Sequence, residues 1–212
     1  MSPIQQYNFR TSRCFFDLFG AIRNFIAVGN SITIGFNGKT PYTSLLTLNK
    51  APFNVVNQGL GGETLATMLS EFSTKTVYQF QAGIPNYVGA WGGTNDFANA
   101  GATVAAVYAN LTSYVTAVHN AGGKVIVATM LSRTGTNPVG GETLDTDKNN
   151  YNALILANTA GADGIADFTG TLLGCDGCYA NTTWFTDGVH PTQLGITTYE
   201  GPIWSTAINA LN

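Results

Sequence analysis

Near the C-terminus the run Asp187-Gly188-Val189-His190-Pro191 places an imidazole and a carboxylate three residues apart. Imidazole is the side chain best suited to moving protons near neutral pH. Pro191 biases His190 away from helical backbone and so keeps it on a loop. Asp187 can fold back onto the ring, hold its tautomer and stabilise the charge it acquires; the plainer alternative is a surface histidine beside an acid. The other histidine, His119, falls at the C-terminal end of a helical stretch, where the helix dipole favours a cation and no chemistry is needed. If a serine is the nucleophile here, His190 is its base.

A base needs a proton to take. Gly29-Asn30-Ser31-Ile32 offers a hydroxyl directly after an apolar run, through a glycine-containing turn. On its own such a serine reads as a turn former or a helix cap. Asn57-Gln58-Gly59-Leu60-Gly61-Gly62-Glu63-Thr64 follows a second apolar run, and its glycines allow backbone amides to approach a ligand closely. Thr64 stands where a dinucleotide loop requires its third glycine, so that reading is poor; the plain one is a tight strand-to-helix turn. Gly92-Gly93-Thr94-Asn95-Asp96 places a carboxamide with two N–H donors after a third run, although Asn-Asp also suits turns and caps.

Elements that would position these residues are visible as apolar runs at 24–29, 53–57, 86–91, 124–131 and 164–168. Continuous apolarity suits strands buried on both faces. Between the third and fourth runs Val104, Val107, Leu111, Val115 and Val118 share one helical face, and Ala121-Gly122-Gly123 stops the helix. Weaker helical stretches cover 64–72 and 149–160, and another follows Pro191. Strand alternating with helix predicts an α/β domain, doubly wound on a mostly parallel sheet of about five strands. In such a sheet the ligand site lies beyond the carboxyl ends of the strands. Residues 1–23 are read as an N-terminal arm of unassigned structure, and 24–212 as one domain.

The four blocks fall in order at strand ends or before the last helix. In that order Gly29-Asn30-Ser31, the glycine block ending Gly62-Glu63-Thr64, Gly93-Thr94-Asn95-Asp96 and Asp187-Gly188-Val189-His190-Pro191 resemble the blocks of the SGNH (GDSL-like) hydrolases. That family's first block usually reads Gly-Asp-Ser-Leu; here Asn30 replaces the acid and Ile32 the leucine. The resemblance runs from about residue 24 to the C-terminus and implies a three-layer α/β/α, flavodoxin-like sandwich. It further implies that Ser31 attacks an ester carbonyl, His190 takes and returns the proton, and Asp187 orients His190. The oxyanion would be held by the backbone amides of Ser31 and Gly62, with Gly61 and Gly59 as neighbouring choices, and by the Asn95 side chain. No metal or organic cofactor is implied. Deacetylation of carbohydrates, hydrolysis of short acyl esters, thioester and lysophospholipid cleavage, and acyl transfer all occur in the family.

The rival from another class is a non-catalytic flavodoxin-like binding domain, with a flavin phosphate on the loop after the first strand; it leaves the Asp187–His190 pair without a purpose. Substrate identity is expected in the loops 132–148 and 170–186. Trp184 and Phe185 either wall an acyl or sugar pocket or belong to the core. The partner implied is a small-molecule or carbohydrate ester, and the sequence sets no oligomeric state.

Composition narrows the remaining classes. The 212 residues are 44% hydrophobic, enough to bury a core within the size of one domain. Charged residues make up only 10%, against about 25% in an ordinary soluble domain, a surface more common outside cells. The first residues nonetheless lack the apolar segment and cleavage site of a signal peptide. A net charge of -3 without a basic cluster argues against nucleic-acid or anionic-membrane partners, and no apolar run reaches bilayer-spanning length. Cys14, Cys175 and Cys178 with two histidines fall short of a four-ligand zinc site. Cys175-Asp176-Gly177-Cys178 is either a small disulfide loop or a pair of free thiols.

Overall fold

A computed structural model describes residues 22–49 and 52–211. The N-terminal arm, except Ile22 and Arg23, and Cys14 lie outside the described residues. Five strands, β1 (Arg23–Gly29), β2 (Phe53–Gly59), β3 (Asn86–Trp91), β4 (Lys124–Ala128) and β5 (Gly164–Ala166), form one sheet. All neighbours pair in parallel, in the order β2-β1-β3-β4-β5. The order reverses at β1 and β3, so their carboxyl ends flank the crevice where ligands bind in open α/β sheets.

Both faces of the sheet are covered, which is why the strands read as unbroken apolar runs. Alternate residues of one strand enter opposite cores: Ile26 and Val28 pack into one, Phe25 and Ala27 into the other. The first core is closed by α2 (Leu65–Ser70), α4 (Val104–Asn120) and α5 (Leu144–Ala157), through residues such as Met68, Leu111 and Ile155. The second lies under α6 (Gly201–Ala210), whose Trp204 stacks on Tyr42 with centroids 5.0 Å apart. This is the three-layer α/β/α sandwich. Among the described residues no helix is long and apolar enough to cross a membrane.

Helix α4 buries Val107, Leu111, Val115 and Val118 as its spacing predicts, and adds Tyr114. Two boundaries differ from the sequence reading. The fourth apolar run continues to Leu131, yet β4 ends at Ala128: Thr129 N still donates to the Ala166 carbonyl of β5 at 3.1 Å, but the Thr129 carbonyl and Met130 N turn to side chains. The Trp91 indole donates to the Thr129 carbonyl at 3.0 Å, and Met130 N donates to Asn152 Oδ1 at 2.7 Å. Helix α5 starts at Leu144, five residues before the expected 149, so the loop expected over 132–148 is shorter. Thr143 caps it by accepting from Thr146 N at 3.2 Å, and Asp145 and Asp147 in the first turn favour the positive end of the dipole. Cys175 and Cys178 are bridged, their Cα atoms 5.4 Å apart.

Candidate active site

Ser31 stands at the carboxyl end of β1 as the first residue of α1 (Ser31–Ile34). Asn30 caps this turn, its Oδ1 accepting from Ile32 N at 2.9 Å. An amide oxygen is all the cap requires, so the turn forms with Asn30 where the related sequences carry an acid. Gly29 is required by close approach: a Cβ there would lie 2.6 Å from the Trp91 carbonyl oxygen on β3.

His190 reaches this serine from far along the chain, its Nε2 2.8 Å from Ser31 Oγ. Its Nδ1 lies 2.8 Å from Asp187 Oδ2, while Asp187 Oδ1 accepts from the backbone amides of His190 at 2.8 Å and Val189 at 3.0 Å. An ionised carboxylate only accepts, so in the neutral ring the proton sits on Nδ1 and Nε2 is left to accept from the serine hydroxyl. Partial burial raises the Asp187 carboxyl, but the backbone and ring hydrogen bonds from His190 and Val189 outweigh it and hold it below the ordinary value. Gly188 takes φ +77°, the left-handed turn that folds the carboxylate back, and its carbonyl is pinned by Thr134 N at 2.9 Å. Phe36 lies flat on the imidazole, centroids 3.7 Å apart and planes 11° apart.

The segments flanking the turn pair with each other. Thr186 N donates to the His190 carbonyl and Thr192 N to the Trp184 carbonyl, each at 2.8 Å, and Phe185 pairs with Pro191. Phe185 is buried in the second core and Trp184 packs against Tyr199. Of the two alternatives for this pair, pocket wall or core, Phe185 takes the core one and anchors the base of the His190 turn with its apolar surface turned inward. Trp184 is half-buried beside it.

Asn95 and Asp96 lie on α3 (Thr94–Ala98), after β3. Asn95 is buried with its amide fixed at both ends: Nδ2 donates to the Glu63 carbonyl at 3.0 Å and Oδ1 accepts from Arg133 Nη1 at 3.2 Å. Asp96 accepts from Leu65 N through both oxygens at 3.1 Å, tying α3 to the start of α2. Burial raises the Asp96 carboxyl and these amide bonds oppose the rise. Gly62 is exposed on the loop entering α2, next to Glu63, whose buried carboxylate pairs with Lys75 at 2.5 Å. His119 pairs with Asp163 at 2.8 Å, apart from the Ser31–His190 chain. Among the described residues no group of three or more His, Cys, Asp or Glu is placed to hold a metal ion.

Sequence reasoning missed Arg133 and Phe36. Arg133 stands at the end of the fourth apolar run, one of nine Lys and Arg in the chain, and its position after a strand was the available signal. Its Nη1 also donates to Thr94 Oγ1 at 3.0 Å; burial lowers its pKa and the Asp187 charge opposes that. Phe36 has no such signal, because its role depends on where His190 arrives.

Residues 27–196 match the family described as the GDSL-like Lipase/Acylhydrolase family. A comparison with curated proteins gives no match. Among solved structures, the fold is similar to the lipase/acylhydrolase from Enterococcus faecalis, with a TM-score of 0.67 and 18% identity over 89% of this chain and 96% of that one. A member of the lipolytic protein G-D-S-L family from Veillonella parvula gives 0.65 and 20% over 89% and 97%. An acetyl xylan esterase gives 0.65 and 18% over 86% and 98%. With the four sequence blocks gathered at one edge of the sheet and the match covering most of the chain, the protein belongs to the GDSL-like lipase/acylhydrolase family, a hydrolase family of the esterase and lipase class.

Proposed function

We propose that the protein is a serine carboxylic ester hydrolase acting on short acyl esters through an acyl-enzyme. The observation that carries this reading is the unbroken chain Ser31 Oγ, His190 Nε2, His190 Nδ1, Asp187 Oδ2, each contact 2.8 Å. Ser31 attacks the ester carbonyl as its proton passes to His190 Nε2, and the imidazolium is stabilised by Asp187. The tetrahedral oxyanion takes hydrogen bonds from the amides of Ser31 and Gly62 and from the free N–H of Asn95, donors aimed at charge present mainly in the transition state. Collapse expels the alcohol with the proton from His190. A water, deprotonated by the same imidazole, then releases the acid.

A small cavity supports a short acyl group. The enclosed space lined by Asn30, Ile32, Trp91, Thr94 and Val189, which flank the reacting residues, is about 10 Å³, the order of one water. Treatment with a fluorophosphonate should label the chain once, at Ser31, and p-nitrophenyl esters should be hydrolysed fastest at the shortest acyl length. Labelling elsewhere, or a Ser31→Ala protein that turns over like the parent, would sink the reading.

A further inference from the structure

Asn95 is held at both ends by groups that bond its amide in one orientation only. The Glu63 carbonyl, which can only accept, takes a hydrogen bond from Nδ2 at 3.0 Å. Arg133, which has no acceptor, donates from Nη1 to Oδ1 at 3.2 Å. Asn99 Nδ2 adds a second donor to Oδ1 at 3.3 Å. These contacts fix the amide plane and with it the direction of the remaining N–H. Arg133 is itself anchored. Its backbone N donates to Asp145 Oδ1 at 3.3 Å, and on either side Ser132 N bonds the Leu173 carbonyl at 2.8 Å and Thr134 N the Gly188 carbonyl at 2.9 Å. From this backbone the side chain crosses to α3, where Nη1 also donates to Thr94 Oγ1 at 3.0 Å.

The fold gains little from this cation. Burial lowers its pKa, the Asp187 charge offsetting that only in part, and the buried Nε makes no hydrogen bond. Both features cost free energy, and an apolar side chain of similar volume would carry neither cost. What the guanidinium contributes is concentrated at one nitrogen, Nη1, from which its contacts with Thr94 and Asn95 all come. Two effects on Asn95 follow. A cation on the amide oxygen draws charge from the amide nitrogen and makes the remaining N–H a stronger donor. The second anchor also stops the amide from pivoting on the Glu63 carbonyl, so the donor needs no reorganisation when negative charge develops in front of it.

We propose that Arg133 is a positioning residue for the oxyanion site and acts through Asn95, setting the plane of its amide and strengthening its free N–H. The proposal rests on Asn95 donating to the oxyanion. It is tested by a double-mutant cycle on the hydrolysis of methyl acetate, with turnover counted per Ser31 labelled by the fluorophosphonate at completion, so that unfolded protein does not enter the rate. Arg133→Met and Arg133→Ala should each lower kcat at least about tenfold, with KM within about threefold of the parent, the mark of an interaction made mainly in the transition state. In either background Asn95→Ala should cost at least about tenfold less than in the parent, because the two residues act as a unit. Arg133→Lys should recover part of the lost kcat, since a point donor can replace contacts that come from a single nitrogen. A severe Asn95→Ala whose cost is the same in every background would show that Arg133 works by another route, such as its interaction with the Asp187 charge. That result, or both Arg133 variants turning over like the parent, overturns the positioning role alone. An Asn95→Ala protein that turns over like the parent overturns the oxyanion reading beneath it.

Discussion

Asn95 is the residue at which a turn former and a catalytic donor predict different results. Its carbonyl oxygen is occupied by Arg133 and one N–H by the Glu63 carbonyl, so the second N–H is the one available to an oxyanion. Asn95→Ala should lower kcat by about 10²- to 10³-fold, or roughly 2.7 to 4 kcal/mol, with little change in KM. Turnover within a few-fold of the parent would remove Asn95 from the oxyanion site. For pH, Asp187 should add no step to kcat/KM within the ordinary carboxylate range: its carboxyl is held below the ordinary value, so it stays ionised there. Its contribution to stability is present above the unfolded carboxyl value and is lost only as pH drops through the lower folded one. A step in kcat/KM within that range would show that Asp187 titrates there.

At the scale of elements, the disulfide closes a ring of four residues, Cys175 to Cys178, on the segment after β5. So short a ring restricts the unfolded chain modestly, by about 2 kcal/mol. The Cys175→Ser/Cys178→Ser protein should lose about 4–8 °C in Tm by calorimetry while methyl acetate turnover stays close to the parent's. Loss of turnover in the folded double variant would place the bridge in the chemistry. The five strands were legible because burial on both faces writes itself as unbroken apolar runs. The start of α5 was not, because Leu144, Asp145, Thr146 and Asp147 look like loop until Thr143 is seen to cap them. The chemical blocks were legible as local spacing, Asp187 with His190 above all. Arg133, Phe36 and the inward turn of Phe185 were not, since each is defined by contacts with residues remote in sequence.

For the molecule as a whole, the second core holds buried polar groups behind the turn that carries Ser31. Both Glu200 carboxyl oxygens, the Tyr42 hydroxyl, the Trp204 indole N–H and Thr33 Oγ1 are buried without a hydrogen-bond partner. Burial raises Glu200 well above its ordinary value, so it is retained as the neutral acid. Its contribution to stability is complete below the unfolded value, about 4.3, and is lost as pH rises toward the folded one. The Tm of Glu200→Gln relative to the parent should therefore climb steadily above about pH 4.3; parallel curves would show that Glu200 is not held protonated. The same core joins the two ends of the domain, as Thr47 N bonds Ser205 Oγ at 2.9 Å and Asn209 Nδ2 bonds the Thr47 carbonyl at 2.9 Å. Ser31 and His190 are 159 positions apart. Because synthesis runs from the N-terminus, the proposed nucleophile leaves the ribosome long before its proposed base, and Ser31 has no imidazole beside it until almost the last helix has emerged. In refolding, activity that depends on this pair should return only once the C-terminal segment has docked.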